Sequence, residues 1–227
     1  MLDVRQVNMY RNKEYFVKGY RNWRKELSEF KYLIFLSLII FGIAAFIDYL
    51  SGTYVSSAET VDVPDLILDH IGPFNIGFLL TWGYVTFFLA LFLYPILFHI
   101  RTLHIAICQF SLLIMLRAVF VVFTHMQTPP DAIPTNFPWI FQKLDFHNDM
   151  FFSGHTAIPF LGFLMFKEKI RYFFLFGSIL MGTSVLLAHM HYSIDVFAAF
   201  FITYGSYKIN NLLIHKSELY IRNRSLP

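Results

Sequence analysis

The chain has 227 residues, 56% of them hydrophobic and 15% charged, with 28 Phe, 13 Tyr and 3 Trp and a mean hydropathy of +0.53. Ordinary soluble domains hold roughly 45–50% apolar and about 25% charged residues, so this composition excludes a water-soluble domain and intrinsic disorder and calls for lipid as the solvent. The single Cys108 excludes a disulfide scaffold within the chain, and a net charge of +3 says little until it is divided by position.

From the N-terminus, residues 1–31 carry Arg5, Arg11, Lys13, Lys18, Arg21, Arg24, Lys25 and Lys31 but lack the apolar core and small-residue cleavage site of a signal peptide. They read as a retained basic cytosolic tail. Tyr10, Tyr15, Phe16, Tyr20 and Trp23 allow it to lie in the membrane interface as an amphipathic helix, and a solvated tail is the alternative. Six apolar segments follow, at 32–50, 73–98, 103–127, 152–166, 172–188 and 192–214. A helix needs about 20 mostly apolar residues to cross the hydrocarbon core; the fourth segment is short, and the sixth begins with a charge. Barrel strands would alternate in polarity, and these runs do not. The expectation is one all-α membrane domain over 32–214, a bundle of six transmembrane helices, with a cytosolic tail at 215–227.

Charge supports that topology. With both termini in the cytosol, Arg101, the turn containing Lys167, Lys169 and Arg171, and the tail with Lys208, Lys216, Arg222 and Arg224 join the N-terminal cluster on the inner side. Of the 18 basic residues only Arg117 and Lys143 fall elsewhere, as the positive-inside rule requires. The outer side is acidic, with Asp48, Glu59, Asp62, Asp65, Asp69, Asp131, Asp145, Asp149 and Asp195, and it gathers His70, His125, His147, His155, His189 and His191. Any chemistry is therefore expected on the extracytoplasmic face, lumenal or periplasmic.

Two stretches carry residues suited to chemistry. In DMFFSGHT (149–156), Ser153 and Gly154 stand where an outer loop enters the fourth segment. A compact turn there leaves backbone N–H groups free at a helix N-terminus, a ready site for phosphate oxygens, with His155 beside them. The plain alternative is a helix cap made by Ser153, with His155 merely interfacial. In LLAHMHYSIDV (186–196), His191 and Asp195 are four apart, so on a helix they would share a face; a carboxylate on one imidazole nitrogen leaves the other free as nucleophile or base. The alternative is a structural polar pair between the fifth and sixth segments. Arg117 is the one basic residue buried deep in an apolar segment, suited either to an internal ion pair with Asp65, Asp69 or Asp149 or to bidentate phosphate binding. His189, His191 and Asp195 could instead hold a metal, and His99, His104, His125 and His155 could be arranged as haem ligands, although no cysteine or HExxH pattern supports either.

Taken together these stretches resemble the sphingomyelin synthase family, a branch of the lipid phosphate phosphatase superfamily. The similarity lies in four blocks between Val63 and Thr203: VPDLILDHI (63–71), LRAVFVVFTHMQTPP (116–130), DMFFSGHT with the Lys167–Glu168 turn behind it, and AHMHYSIDVFAAFFIT (188–203). The resemblance implies a bundle of lipid phosphate phosphatase type and a ceramide phosphotransferase. Such an enzyme moves phosphocholine or phosphoethanolamine from a glycerophospholipid to ceramide and releases diacylglycerol. It implies His155, His191 and Asp195 as the catalytic triad. His191, oriented by Asp195, would form a phosphohistidine while His155 handles the protons. Asp149 matches an acidic position of the third block, and Ser153, Gly154 and Arg117 would receive the phosphate, with no metal and no cofactor.

Departures are equally specific. Val185 stands where the wider phosphatase superfamily carries an arginine, which favours the synthase branch. His147 and Asn148 replace a cysteine and a glycine of the third block, and Tyr204, Gly205 and Ser206 replace a basic and aromatic run, leaving headgroup and acceptor open. The N-terminal tail is also too short for the helical interaction domain of some family members. Alternatives are a phosphatase or phospholipase C-type hydrolase using the same His/His/Asp site, and a non-enzymatic haem- or metal-binding membrane protein or lipid-binding scaffold. The expected partners are the two membrane lipids and not nucleic acid; a second copy of the chain is left open.

Overall fold

A computed structural model describes residues 4–135, 137–139 and 146–224, with side chains described from 22 to 214 within that range. Lys143 and Asp145, and the side chains of Tyr10, Tyr15, Phe16 and Tyr20, lie outside the described residues. The structure is all-helical: α1 (Val4–Ser57), α2 (Gly77–Phe98), α3 (Leu103–Thr124), α4 (Gly154–Met165), α5 (Ile170–Leu187) and α6 (Ser193–Arg224). Each expected apolar segment falls on one of these helices. No break separates the basic N-terminal stretch from the first apolar segment, because α1 runs through both without a proline. Among the described residues the one β pairing is an isolated parallel bridge between Val61 and Met126.

Four helical stretches are long and apolar enough to cross a membrane: Asn22–Ser57, Gly77–Phe98, Ile100–Thr124 and Ile170–Leu187. They fit an integral membrane protein. The fourth and sixth expected spans differ from these, for two separate reasons. Helix α4 has 12 residues, about 18 Å at 1.5 Å per residue against a hydrocarbon core of about 30 Å. None of its residues is exposed, and it packs on α2, α3, α5 and α6. Its all-round apolar surface is thus satisfied by protein, as expected of a helix at the centre of a bundle.

Helix α6 is inside out. It buries Asp195, Thr203, Ser206 and Asn210 and exposes Ile194, Phe197, Phe201, Leu212 and Leu213, Phe201 to 77%. In water that pattern would be costly on both faces, whereas lipid reverses the preference of the outer one. Gln109 of α3 donates from Nε2 to Asn211 Oδ1 at 2.9 Å, joining α6 to the bundle through its polar side.

Close packing around α4 depends on small residues, since helices in lipid gain most from near approach. A Cβ at Gly162 would collide with the ring of Phe174, and one at Gly177 with that of Phe87. Ser178 Oγ donates to the Thr156 carbonyl at 3.0 Å, fixing α5 against the first turn of α4.

The two ends of the bundle are held differently. At one end Trp23 Nε1 donates to the Ile96 carbonyl (2.7 Å), Arg101 pairs with Glu26 (3.0 Å) and the Tyr94 hydroxyl donates to Glu168 (2.7 Å). At the other, backbone bonds knit the connecting loops: Val61 N–H to His125 O (3.1 Å), Phe74 N–H to Leu187 O (2.7 Å) and Ile133 N–H to Ala188 O (2.9 Å). That second end carries both histidine motifs.

Candidate active site

Helix α4 starts at Gly154, with Ser153 as the extended residue before it, and no side chain caps it. The Ser153 hydroxyl instead receives a 3.3 Å bond from Thr156 Oγ1, so Ser153 is not the side-chain cap that the plain reading required. The Ser153 amide donates to the Asp195 carbonyl at 3.2 Å and thereby ties the entry of α4 to the first turn of α6. His155 is the second residue of α4 and is buried.

His191 and Asp195 do come together, but not on a helical face. His191 lies in the turn 188–192, and α6 begins only at Ser193. Asp195, in the first turn, reaches back: its Oδ2 accepts the Tyr192 N–H at 3.0 Å and meets Nδ1 of His191 at 3.3 Å. An acid at the third helical position bonding the residue before the helix is half of a capping box. A helix-starting device here also orients an imidazole. Asp195 is fully buried, and its other oxygen, Oδ1, has no partner among the described residues. With Nδ1 of His191 on the carboxylate, Nε2 is the nitrogen available for chemistry.

The ring centroids of His155 and His191 are 6.2 Å apart. The buried Nε2 of His155 has no hydrogen-bond partner among the described residues. Tyr84 lies against His155 at 4.8 Å between centroids and Phe137 at 6.1 Å, a largely apolar surround that holds the ring in place.

Arg117 settles on Asp149, not on Asp65 or Asp69. Its Nη1 donates to Asp149 Oδ2 at 2.6 Å, Nη2 to the Asp149 carbonyl at 3.0 Å and Nε to the Phe152 carbonyl at 3.0 Å. These bonds use three of the five guanidinium N–H groups and, among the described residues, leave two for an anion. The head lies along the α4 entry: a Cβ on Gly154 would be 3.8 Å from Arg117 Nε. Asn148, just before Asp149, takes a left-handed backbone with φ 61°, which asparagine tolerates, and exchanges bonds of 2.9 and 3.1 Å with Thr128.

A cavity of about 190 Å³ opens beside these groups, lined by Asp48, Arg117, Asp149, Gly154 and His155 on its polar side and by Tyr84, Phe88, Phe137 and Phe146 among its aromatics. His191 is not part of this lining. The sequence reading missed Asp48 and the aromatic wall. A carboxylate in an apolar segment was the available signal for Asp48, whereas the rings were indistinguishable from other lipid-facing aromatics.

His189 belongs to the scaffold. Its Nδ1 lies 2.9 Å from Asp131 Oδ1 and its Nε2 2.7 Å from the Ile71 carbonyl, both within hydrogen-bonding distance. Both nitrogens are thus occupied away from His191. Among the described residues no group of three His, Cys, Asp or Glu side chains is placed to hold a metal ion.

Around the same turn, Asp65 accepts from the backbone N–H of Ser193, Ile67 and Leu68. Burial pushes its carboxyl upward, but the bonds from Ser193, Leu68 and Ile67 outweigh it and hold the group below the usual carboxylate range. Burial first, then the bond and charge of Asp62 and the charge of Asp195, push the Tyr192 phenol up to about 12. The site is thus a paired-histidine centre with a carboxylate on one ring and an arginine at a helix entry. Comparison with protein-family models finds none that matches the chain. Comparison with curated proteins likewise finds no match.

Proposed function

We propose that this chain is a lipid phosphotransferase of the sphingomyelin synthase kind, moving a phospho-headgroup from a glycerophospholipid to ceramide and releasing diacylglycerol. The observation that carries the reading is the juxtaposition of His155 and His191 at 6.2 Å, with Asp195 on the far nitrogen of His191. Arg117 lies at the uncapped entry of α4 beside them. In the first step His191 Nε2 attacks the donor phosphorus. The bond from phosphorus to the diacylglycerol oxygen breaks, and His155 supplies the proton that this oxygen takes. In the second, His155 removes the proton of the ceramide hydroxyl, that oxygen attacks phosphorus, and the phosphorus–nitrogen bond breaks. The two open N–H groups of Arg117 and the first amides of α4 stabilise the charge on the equatorial oxygens.

The same reading puts six helices across the membrane, both termini in the cytosol and the site at the extracytoplasmic end. The basic residues away from that end and the inside-out surface of α6 support it. Both lipids would then reach the histidines laterally from the bilayer. Purified protein given labelled choline, ethanolamine or inositol phospholipids with ceramide is expected to make a labelled sphingolipid, and His191→Ala to make none. Headgroup released to water at a rate that ceramide does not change would make the protein a hydrolase. No turnover of any donor would overturn the reading.

A further inference from the structure

Three acidic side chains, two in the loop before α2 and one in the loop after α3, hold the short turn that carries His191 and the start of α6 behind it, each through a different residue. Asp131 receives His189 at 2.9 Å, Asp62 receives the Tyr192 hydroxyl at 2.9 Å, and Asp65 receives the Ser193 amide at 2.6 Å. Asp65 stands apart from the other two. It is 6% exposed, and it holds the first residue of α6 by its backbone amide, with the Ser193 hydroxyl beside it. Its second oxygen, Oδ1, accepts from Ile67 N–H (2.8 Å) and Leu68 N–H (3.2 Å) of its own loop. One carboxylate therefore bridges loop 58–76 and the N-terminus of α6, two residues after His191 and two before Asp195. A negative charge is favoured there by the helix dipole.

We infer that Asp65 is a positioning residue for phosphoryl transfer, setting the register of His191 against Asp195 from the outer loop. This rests on the reading of His191 as the nucleophile. Its bond fixes the amide between the two members of the pair. A pair separated by 3.3 Å is sensitive to small shifts of that amide, since about 1 Å of misplacement costs on the order of 10²-fold in rate. Asparagine cannot replace the carboxylate: its one carbonyl oxygen can serve Ser193 or the Ile67–Leu68 pair, and its NH₂ end meets donors at the other. Asp65 does not line the cavity that holds Arg117 and His155, so donor binding should be spared.

The test is Asp65→Asn in the full chain, with Asp69→Asn as the charge-matched control on the exposed part of the same loop. Asp65→Asn is expected to lower kcat by at least about 10-fold with KM within about 2-fold, and to speed amide exchange across 189–195. Asp69→Asn should leave both near wild type. If Asp65→Asn fails to fold, Ser193→Pro removes the Ser193 side of the contact instead, amide and hydroxyl together. It deletes the donor at the first helical position, where proline is well accommodated, and leaves Asp65 and its loop intact. Wild-type kcat together with wild-type exchange in a folded variant overturns the inference. A wild-type protein that transfers nothing, while the variant still loosens the turn, overturns the transfer reading and leaves the clamp standing.

Discussion

Removing Asp149 tests whether the arginine at the α4 entry is held by an internal ion pair as well as placed for phosphate. The Arg117 and Asp149 side chains are 15% and 13% exposed and lie 2.6 Å apart, and the guanidinium's other two bonds go to the carbonyls of Asp149 and Phe152. Asp149→Ala leaves the cation without its carboxylate. Breaking a buried pair from one side costs about 3–5 kcal/mol, and the surviving carbonyl bonds and residual exposure place this case near about 3 kcal/mol. At roughly 2–4 °C per kcal/mol for a chain of this size, the melting temperature should fall by roughly 6–12 °C. Thermal unfolding in detergent or nanodiscs reads that shift. The double variant Arg117→Met/Asp149→Leu replaces both charges by apolar groups of similar size and should recover most of the loss. It should still transfer no headgroup, because the anion-binding fork is gone. A single variant as stable as wild type, or a double variant no more stable than the single, would refute the reasoning.

Three further outcomes are expected. His155→Gln should lower kcat for transfer by about 10²–10⁴-fold, the usual worth of a proton-transfer group, while the labelled donor still binds in the cavity; unchanged turnover would remove His155 from the chemistry. Gly162→Ala puts a methyl into the ring of Phe174 and should destabilise the α4–α5 contact by about 1–3 kcal/mol, read as a lower melting temperature at wild-type helical content. The outer turn should also respond to pH at both extremes. Asp65, held below the usual carboxylate range, contributes stability above the unfolded carboxyl value near about 4 and loses it as pH falls through its lower folded value. The Tyr192 phenol, pushed up to about 12, contributes below the unfolded value near about 10 and loses that stability between there and about 12. Protection of the 189–195 amides, taken relative to their intrinsic exchange at each pH, that stayed flat across both windows would contradict this.

The composition determined the solvent, and continuous apolar runs determined helices over strands, so every expected segment falls on a helix. Those properties are local: a run of Phe, Leu and Ile reads the same wherever it packs. The sequence could not say which helix would be central. Segment 152–166 looks like a short span, and only packing on four neighbours makes α4 a core helix with no exposed residue. The histidine motifs were legible as residue types at suggestive spacing, but the i,i+4 reading of His191 and Asp195 assumed a helix that starts two residues later. The choice among Asp65, Asp69 and Asp149 as partner for Arg117 was likewise tertiary. Three carboxylates in loops of similar character are equivalent until the fold puts Asp149 at 2.6 Å and turns Asp65 to the Ser193 amide. Sequence fixes what each side chain is able to do through its chemistry; which partner it meets depends on distance, and distance between residues far apart in the chain exists only in the folded bundle.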